Sequence, residues 1–93
     1  MALQIQIALD RMPLGRAVDL TGRVAPCADW IEVGTSLVKE FGMSAVRAVV
    51  DAAGGVPVLA DLKTADDAAY EFTLAFDAGA SSATVLGIAS DAT

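Results

Sequence analysis

Four strand-like segments alternate with three helix-like segments along the chain, and this order leaves few folds open to it. Leu3, Ile5, Ile7 and Leu9 recur at every second position, which is the period of a half-buried strand. The predicted strands are at about 3–10, 29–34, 56–62 and 82–87.

The segments between the predicted strands have helical spacing and helix-ending residues. The predicted helices lie within 14–26, 36–55 and 66–80; Pro26, Gly54 with Gly55, and Gly79 mark their ends, and Ser44 is a candidate cap within the second. A βαβαβαβ order predicts an α/β fold with parallel strands and right-handed helical crossovers. With 93 residues, the chain forms either an open four-stranded sheet or about half of a (β/α)8 TIM barrel, which needs roughly 200–250 residues. We treat residues 1–93 as a single segment.

Composition excludes several classes of function. A net charge of −6 with six Lys and Arg residues provides no basic surface for nucleic acid. The absence of histidine excludes Ser-His triads and the common zinc sites. Cys27 is the single cysteine, so no intrachain disulfide forms. With no signal-peptide pattern and no membrane-length apolar run, we expect a cytoplasmic protein that does not enter the membrane.

Charged residues occupy the carboxyl ends of the first three predicted strands. Asp10, Glu32, Asp61 and Lys63 each alternate with the aliphatic row of their own strand. A single acid at such a position is commonly a helix cap or a solvated loop residue. Because parallel strands bring their carboxyl ends to one edge, where α/β proteins bind ligands, the set together predicts a functional site.

The residue types suggest the chemistry of that site. Glu32 and Asp61 are hard oxygen ligands suited to Mg²⁺, with water and substrate oxygens completing the coordination. Lys63 is suited to donating a proton or to stabilising the negative charge of an enediolate. Asp66 and Asp67 have a complete alternative explanation as acids at a helix start.

Other conspicuous side chains have structural interpretations. Trp30 shares the parity of Glu32 and is expected to pack in the interior. Cys27 is expected to be a small buried or loop residue. Tyr70, Phe72 and Phe76 lie at helical spacing and are expected in the core or a subunit contact.

Four stretches of the sequence carry a family resemblance: LQIQIALD, DWIEVGTSLVKEFGMSAVRAV, VLADLKTADDAAYE and AGASSATVLGIASDAT. Together they resemble the N-terminal half of 3-hexulose-6-phosphate synthases, within the orotidine-5′-phosphate decarboxylase suprafamily. The most specific element is a D-x-K-x-x-D motif formed by Asp61, Lys63 and Asp66.

The resemblance implies a TIM barrel that works as a homodimer and is a Mg²⁺-dependent aldehyde-lyase. Its phosphorylated sugar substrate would be ribulose 5-phosphate, joined to formaldehyde through an enediolate. Glu32 and Asp61 would match the metal ligands, while Asp10 and Lys63 would match catalytic, substrate-contacting residues. Asp66 would match a catalytic acid that reaches into the partner's active site.

Two departures and three alternatives accompany this prediction. Ala69 stands where the family commonly has glycine, and the phosphate-binding loops of such barrels follow the last strands, so the isolated chain is expected to be inactive. A 3-keto-L-gulonate-6-phosphate decarboxylase-like lyase is one alternative. The second is a non-catalytic half-barrel that associates with itself, and the third is a free-standing small α/β domain that binds a metal or phosphometabolite at its strand ends.

Overall fold

A computed structural model describes residues 2–93 as one four-stranded sheet in the order β1-β2-β3-β4. All three strand pairs are parallel, which confirms the α/β prediction. The elements are β1 (Gln6–Leu9), α1 (Leu14–Val24), a short 3₁₀ helix (Ala25–Cys27), β2 (Trp30–Val33), α2 (Thr35–Phe41), α3 (Met43–Ala53), β3 (Val58–Thr64), α4 (Ala68–Asp77) and β4 (Ser82–Val85).

The helices pack on one face of the sheet and form the core there. Ile31, Val33, Val58 and Ala60 alternate along β2 and β3 and are at most 1% exposed. They contact apolar side chains of α2 and α3, notably Leu37, Val46 and Val49. Burying a side chain of this size contributes about 1.5–3 kcal/mol, so this row provides much of the stability.

The opposite face of the sheet is uncovered by residues 2–93. Every strand residue on it is half-buried or exposed, including Trp30 and Leu59. Parallel sheets normally have both faces covered, so this face is the incomplete side of the fold. Trp30 is half-buried on this face with Glu32, so its shared parity with Glu32 is confirmed, but the expected interior packing is wrong because no element of residues 2–93 covers the side chain.

The observed strands are shorter than predicted or shifted in position. β1 begins at Gln6 rather than at residue 3 because it pairs with β2 alone, and β2 begins at Trp30. Leu3 is 93% exposed and Ile5 55%, so the predicted apolar row is buried only at its end, at Leu9. β3 runs to Thr64, two residues beyond the predicted end, and β4 ends at Val85.

The single helix predicted over 36–55 is wrong, since two helices occupy this segment. Gly42 separates them with φ 68° and ψ −157°, a conformation essentially confined to glycine. Its N–H still donates to the Val38 carbonyl, which closes α2. Ser44 lies inside α3 and makes no cap; Gly42 occupies the N-cap position.

Helix α4 carries the most exposed aromatic surface. Tyr70 is 63% and Phe76 49% exposed, which favours a contact surface over the core for these two. Phe72 packs against the core and meets Phe76 edge-on, with ring centroids 6.0 Å apart. Cys27 is exposed rather than buried. None of the helices described is long and apolar enough to cross a membrane.

The break at Gly42 generates a prediction about stability. We expect Gly42→Ala to lower the free energy of unfolding by about 1–3 kcal/mol, because alanine is strained at this φ and ψ. The matched control is Gly22→Ala in α1, where an added methyl meets no atom within 4 Å. That change is expected to raise stability by about 0.5–1 kcal/mol. Urea titration of both variants tests this, and equal stability of Gly42→Ala and wild type would contradict it.

Candidate functional site at the carboxyl edge of the sheet

Four charged side chains meet at the carboxyl edge of the sheet, as the strand-end pattern predicts. Glu32 lies in β2 between Ala8 of β1 and Leu59 of β3, so all three project from the uncovered face. Asp61 lies two residues beyond Leu59 on the same face. We call Asp10, Glu32, Asp61 and Lys63 the strand-end cluster.

Lys63 is held by two oxygen atoms. Its Nζ lies 2.5 Å from Asp61 Oδ2 and donates to Thr35 Oγ1 at 2.8 Å. The hydrogen bond to Asp61, together with the negative charges of Asp61, Glu32 and Asp10, raises the pKa of Lys63 above its ordinary 10.5. Lys63 is therefore a cation at neutral pH, able to donate a proton or to face a developing negative charge.

Asp61 is the most connected member of the cluster. Thr84 Oγ1 donates to its Oδ1 at 2.7 Å, and Thr35 Oγ1 donates to its backbone carbonyl at 2.7 Å. Burial acts to raise the pKa of Asp61, but the hydrogen bonds from Lys63 and Thr84 outweigh it and hold that pKa below its ordinary 3.8. Asp61 is thus a carboxylate at neutral pH.

Asp10 sits over the start of α2. Ser36 Oγ donates to Asp10 Oδ1 at 2.5 Å and accepts the Arg11 N–H at 2.8 Å. A Cβ at Gly34 would overlap the Asp10 carboxylate. The φ of Gly34 is −64°, which any residue can adopt, so backbone conformation does not require glycine there. Glycine is needed because the Asp10 carboxylate approaches its Cα so closely.

Glu32 is oriented from the neighbouring strand. Gln6 Nε2 donates to Glu32 Oε1 at 2.7 Å, on the uncovered face. The amide thus fixes one oxygen of the carboxylate. The strand-end cluster therefore depends on polar partners from each adjacent βα unit.

The end of β3 is irregular, and this irregularity places Lys63. Ala60 pairs with Ala83 and Thr64 with Val85, so four steps along β3 match two along β4. Lys63 itself has φ 49°, a left-handed conformation that costs a non-glycine residue about 1–3 kcal/mol. Simple alternation predicts Asp61 and Lys63 on one side of β3, and their side chains are indeed in contact. The backbone between them is not a regular strand, however, because the bulge lies in this part of β3.

Asp66 lies outside the strand-end cluster. It is exposed in the turn between β3 and α4, three residues after Lys63 of β3. Asp67 occupies the N-cap position of α4 without a side-chain cap hydrogen bond, so the capping explanation fails for that side chain.

The sequence prediction missed the neutral partners of the charged residues. Thr35 and Ser36 begin α2, Thr84 lies in β4 and Gln6 in β1. Their signal was positional: each stands at or near a strand's carboxyl end or on the face that carries the acids. Uncharged side chains at such positions are too common for that signal to identify them.

The donor set fits a divalent cation that keeps water and substrate ligands. Among residues 2–93, no three acidic or thiol side chains come together to hold a metal ion alone. Mg²⁺ typically takes only one or two protein carboxylates. Each oxygen of Asp61 accepts one of the hydrogen bonds described and retains a lone pair. Glu32 and Asp61 therefore fit Mg²⁺ in number and in chemistry.

Comparison with known proteins identifies close relatives. The family model described as "Orotidine 5'-phosphate decarboxylase / HUMPS family" matches residues 3–93. The chain is 42% identical over 91 residues to 3-hexulose-6-phosphate synthase of Mycobacterium gastri, covering 98% of this chain and 44% of that protein. The chain thus spans less than half the length of this relative.

Solved structures of related enzymes also match nearly all of this chain over less than half of their own length. A crystal structure of 3-hexulose-6-phosphate synthase superposes with a TM-score of 0.91 at 43% identity, covering 96% of this chain and 43% of that one. The structure of 3-keto-L-gulonate-6-phosphate decarboxylase from Vibrio cholerae gives 0.86 at 40% identity, covering 91% and 40%. The four parallel strands and the helices between them match part of these structures.

The close approach of Gly34 to Asp10 predicts a specific structural defect. We expect Gly34→Ala to push the Asp10 carboxylate off Ser36 and to cost about 1–3 kcal/mol of stability through overpacking. Gly15→Ala in α1 is the control, because its added methyl meets no atom within 4 Å. A crystal structure and a urea titration of each variant measure the effect. An Asp10–Ser36 hydrogen bond retained in Gly34→Ala would contradict the prediction.

The Asp61–Lys63 pair predicts how stability depends on pH. The lowered pKa of Asp61 means that its carboxylate favours folding above pH 3.8 and loses this effect as the pH falls through the folded value. The raised pKa of Lys63 favours folding below pH 10.5 and is lost as the pH rises through the folded value. We therefore expect Asp61→Asn to flatten the acid side of the stability profile.

The measurement is urea unfolding at a series of pH values in metal-free buffer. Asp51→Asn, which removes an exposed acid on α3, is the matched control and is expected to follow wild type. Equal acid slopes for Asp61→Asn and wild type would refute the role assigned to the pair.

Proposed function

The chain belongs to the orotidine 5′-phosphate decarboxylase / HUMPS family, and on this premise we propose that it carries part of the active site of an aldehyde-lyase. The reaction is that of a 3-hexulose-6-phosphate synthase, joining formaldehyde to ribulose 5-phosphate through an enediolate. Its named relatives include synthases that are about 40% identical. The proposal includes a cytoplasmic location, consistent with a single exposed free thiol.

The observation that carries the proposal is the cationic Lys63 beside two carboxylates on one edge. Forming an enediolate removes a proton from a carbon next to a carbonyl and leaves negative charge on oxygen. The Lys63 ammonium, held by Asp61 and Thr35, is preorganised to face that charge or to return a proton. Because its pKa is raised, Lys63 serves as an acid and a charge stabiliser rather than as the base.

Glu32 and Asp61 are the residues proposed to hold Mg²⁺. When bound, the ion would supply positive charge opposite the substrate oxygens. Gln6 and Thr84 orient the two carboxylates through one hydrogen bond each. Asp10, fixed by Ser36, is proposed to contact substrate and to act in catalysis.

Asp66 is proposed to act in the active site of a second copy. Its exposed position on the connection after Lys63 leaves it free to project away from its own sheet. The exposed Tyr70 and Phe76 on the following helix are suited to a homodimer contact. This assignment makes a homodimer part of the proposed enzyme.

Two other functions have supporting observations. The similarity to a 3-keto-L-gulonate-6-phosphate decarboxylase at 40% identity supports a decarboxylase that reaches a similar enediolate by losing carbon dioxide. The uncovered sheet face supports a non-catalytic half-barrel that associates with itself through that face. Substrate assays and sedimentation separate these possibilities.

Substituting Lys63 tests the proposed reaction. With ribulose 5-phosphate, formaldehyde and Mg²⁺, we expect Lys63→Ala to lower kcat/KM by about 10²–10³-fold, the usual cost of losing one group that stabilises developing charge. Lys39→Ala on the exposed side of α2 is the control and is expected to match the parent enzyme. The parent must be a chain that spans the full length of the matched relatives, of which residues 1–93 cover 44% in the Mycobacterium gastri enzyme.

The same parent enzyme distinguishes the candidate reactions. Turnover of 3-keto-L-gulonate 6-phosphate without condensation of formaldehyde would favour the decarboxylase. Full activity in Lys63→Ala, or in the presence of EDTA, would contradict the proposed mechanism.

A separate assay concerns residues 1–93 alone. We expect turnover at least about 10³-fold below that of a full-length relative, because TIM-barrel phosphate sites lie after the seventh and eighth strands. Sedimentation of the same sample measures self-association. A rate like that of a full-length relative would refute this expectation.

A further inference from the structure

The two left-handed non-glycine residues among residues 2–93 share one hydrogen-bonding arrangement. Arg11 has φ 51° and Lys63 φ 49°. The Arg11 N–H donates to Ser36 Oγ at 2.8 Å, and the Lys63 N–H donates to Thr84 Oγ1 at 3.0 Å. Each hydroxyl comes from the next βα unit along the chain, so the same contact occurs twice at one edge of the sheet.

Each of these hydroxyls also donates to a carboxylate of the strand-end cluster. Ser36 donates to Asp10 Oδ1 at 2.5 Å, and Thr84 donates to Asp61 Oδ1 at 2.7 Å. A hydroxyl has one proton and two lone pairs, so it can accept from the backbone and donate to the acid at once. One side chain thereby fixes both the unusual backbone and the orientation of the neighbouring acid.

We propose that Ser36 and Thr84 are positioning residues that hold the strand-end cluster by bridging a left-handed backbone N–H to a strand-end carboxylate. Thr84 acts through Asp61 and Lys63, and Ser36 acts through Asp10. Neither hydroxyl is assigned a contact with substrate. The effect on catalysis rests on the proposed function, whereas the effect on geometry does not.

The sheet explains why a hydroxyl is needed at the Thr84 position. β3 carries extra residues opposite β4 between Ala60 and Thr64, so regular ladder hydrogen bonds are interrupted there. The Lys63 N–H in this gap requires a partner from a side chain, and Thr84 supplies it. The same threonine then holds Asp61 Oδ1, while Lys63 Nζ contacts Asp61 Oδ2.

Paired substitutions separate the hydroxyl from the packing of the side chain. Thr84→Val keeps the shape and removes both hydrogen bonds, whereas Thr84→Ser keeps the hydroxyl. The matched pair at the other site is Ser36→Ala and Ser36→Thr. Amide hydrogen exchange by NMR reports directly on the Lys63 and Arg11 N–H groups. The Ile31 amide, bonded to the Pro57 carbonyl, serves as an internal reference for global opening.

We expect faster exchange only at the amide that loses its hydroxyl partner, and no such change in the variant that keeps a hydroxyl. Relative to Ile31, the Lys63 amide should exchange at least about tenfold faster in Thr84→Val and near the wild-type rate in Thr84→Ser. The Arg11 amide should respond in the same way to Ser36→Ala and Ser36→Thr. Wild-type protection of Lys63 in Thr84→Val, or of Arg11 in Ser36→Ala, would overturn the inference.

Measurements of enzyme activity distinguish a failure of this inference from a failure of the proposed function. In a parent enzyme that condenses formaldehyde with ribulose 5-phosphate, Thr84→Val should lower kcat/KM about 10–100-fold, with Thr84→Ser close to the parent. Unchanged kcat/KM in Thr84→Val would overturn the positioning role. A parent without turnover would refute the proposed function instead, and the exchange measurements would still decide the inference.

Discussion

Parallel strand pairing is the constraint on which the rest of this structure depends. Because each strand runs in the same direction, residues far apart in sequence, such as Asp10, Glu32 and Asp61, arrive at one edge. The two-residue period then sends aliphatic side chains to the helices and charged ones to the other face. The core and the strand-end cluster are therefore two consequences of a single alternation, and a register slip would disrupt both.

Strand pairing alone brings the charges together without fixing their geometry. Like charges at one edge repel each other, and the cluster contains three carboxylates and a single ammonium. Lys63 offsets part of this repulsion, and neutral donors hold the acids: Gln6 on Glu32, Ser36 on Asp10 and Thr84 on Asp61. The left-handed conformation of Lys63 costs about 1–3 kcal/mol. Such a conformation persists only where its surroundings determine it, which is typical of functional sites.

The sequence predicts the parts of the fold that obey a simple period. Order, strand direction, the core rows at Ile31 and Val58, and the convergence of the charged residues all follow from alternation and spacing. The break at Gly42 was missed because its flanks share one helical pattern, and glycine is also tolerated inside helices. The bulge before Thr64 was missed because its cause is a mismatch with β4, which no local pattern records. The bridging hydroxyls were missed because uncharged side chains near strand ends are too common for their position alone to identify them.

The contacts of the strand-end cluster run between successive βα units. Gln6 of the first unit orients Glu32 of the second, and Ser36 of the second holds Asp10 of the first. Thr84 of the fourth unit holds Asp61 of the third. Each of these three hydrogen bonds therefore joins units that follow one another along the chain. The backbone that carries this network superposes on part of a solved synthase with a TM-score of 0.91. The strand-end cluster is thus built from contacts between consecutive units, whereas the sheet face that carries Glu32 is not covered by any element of residues 2–93.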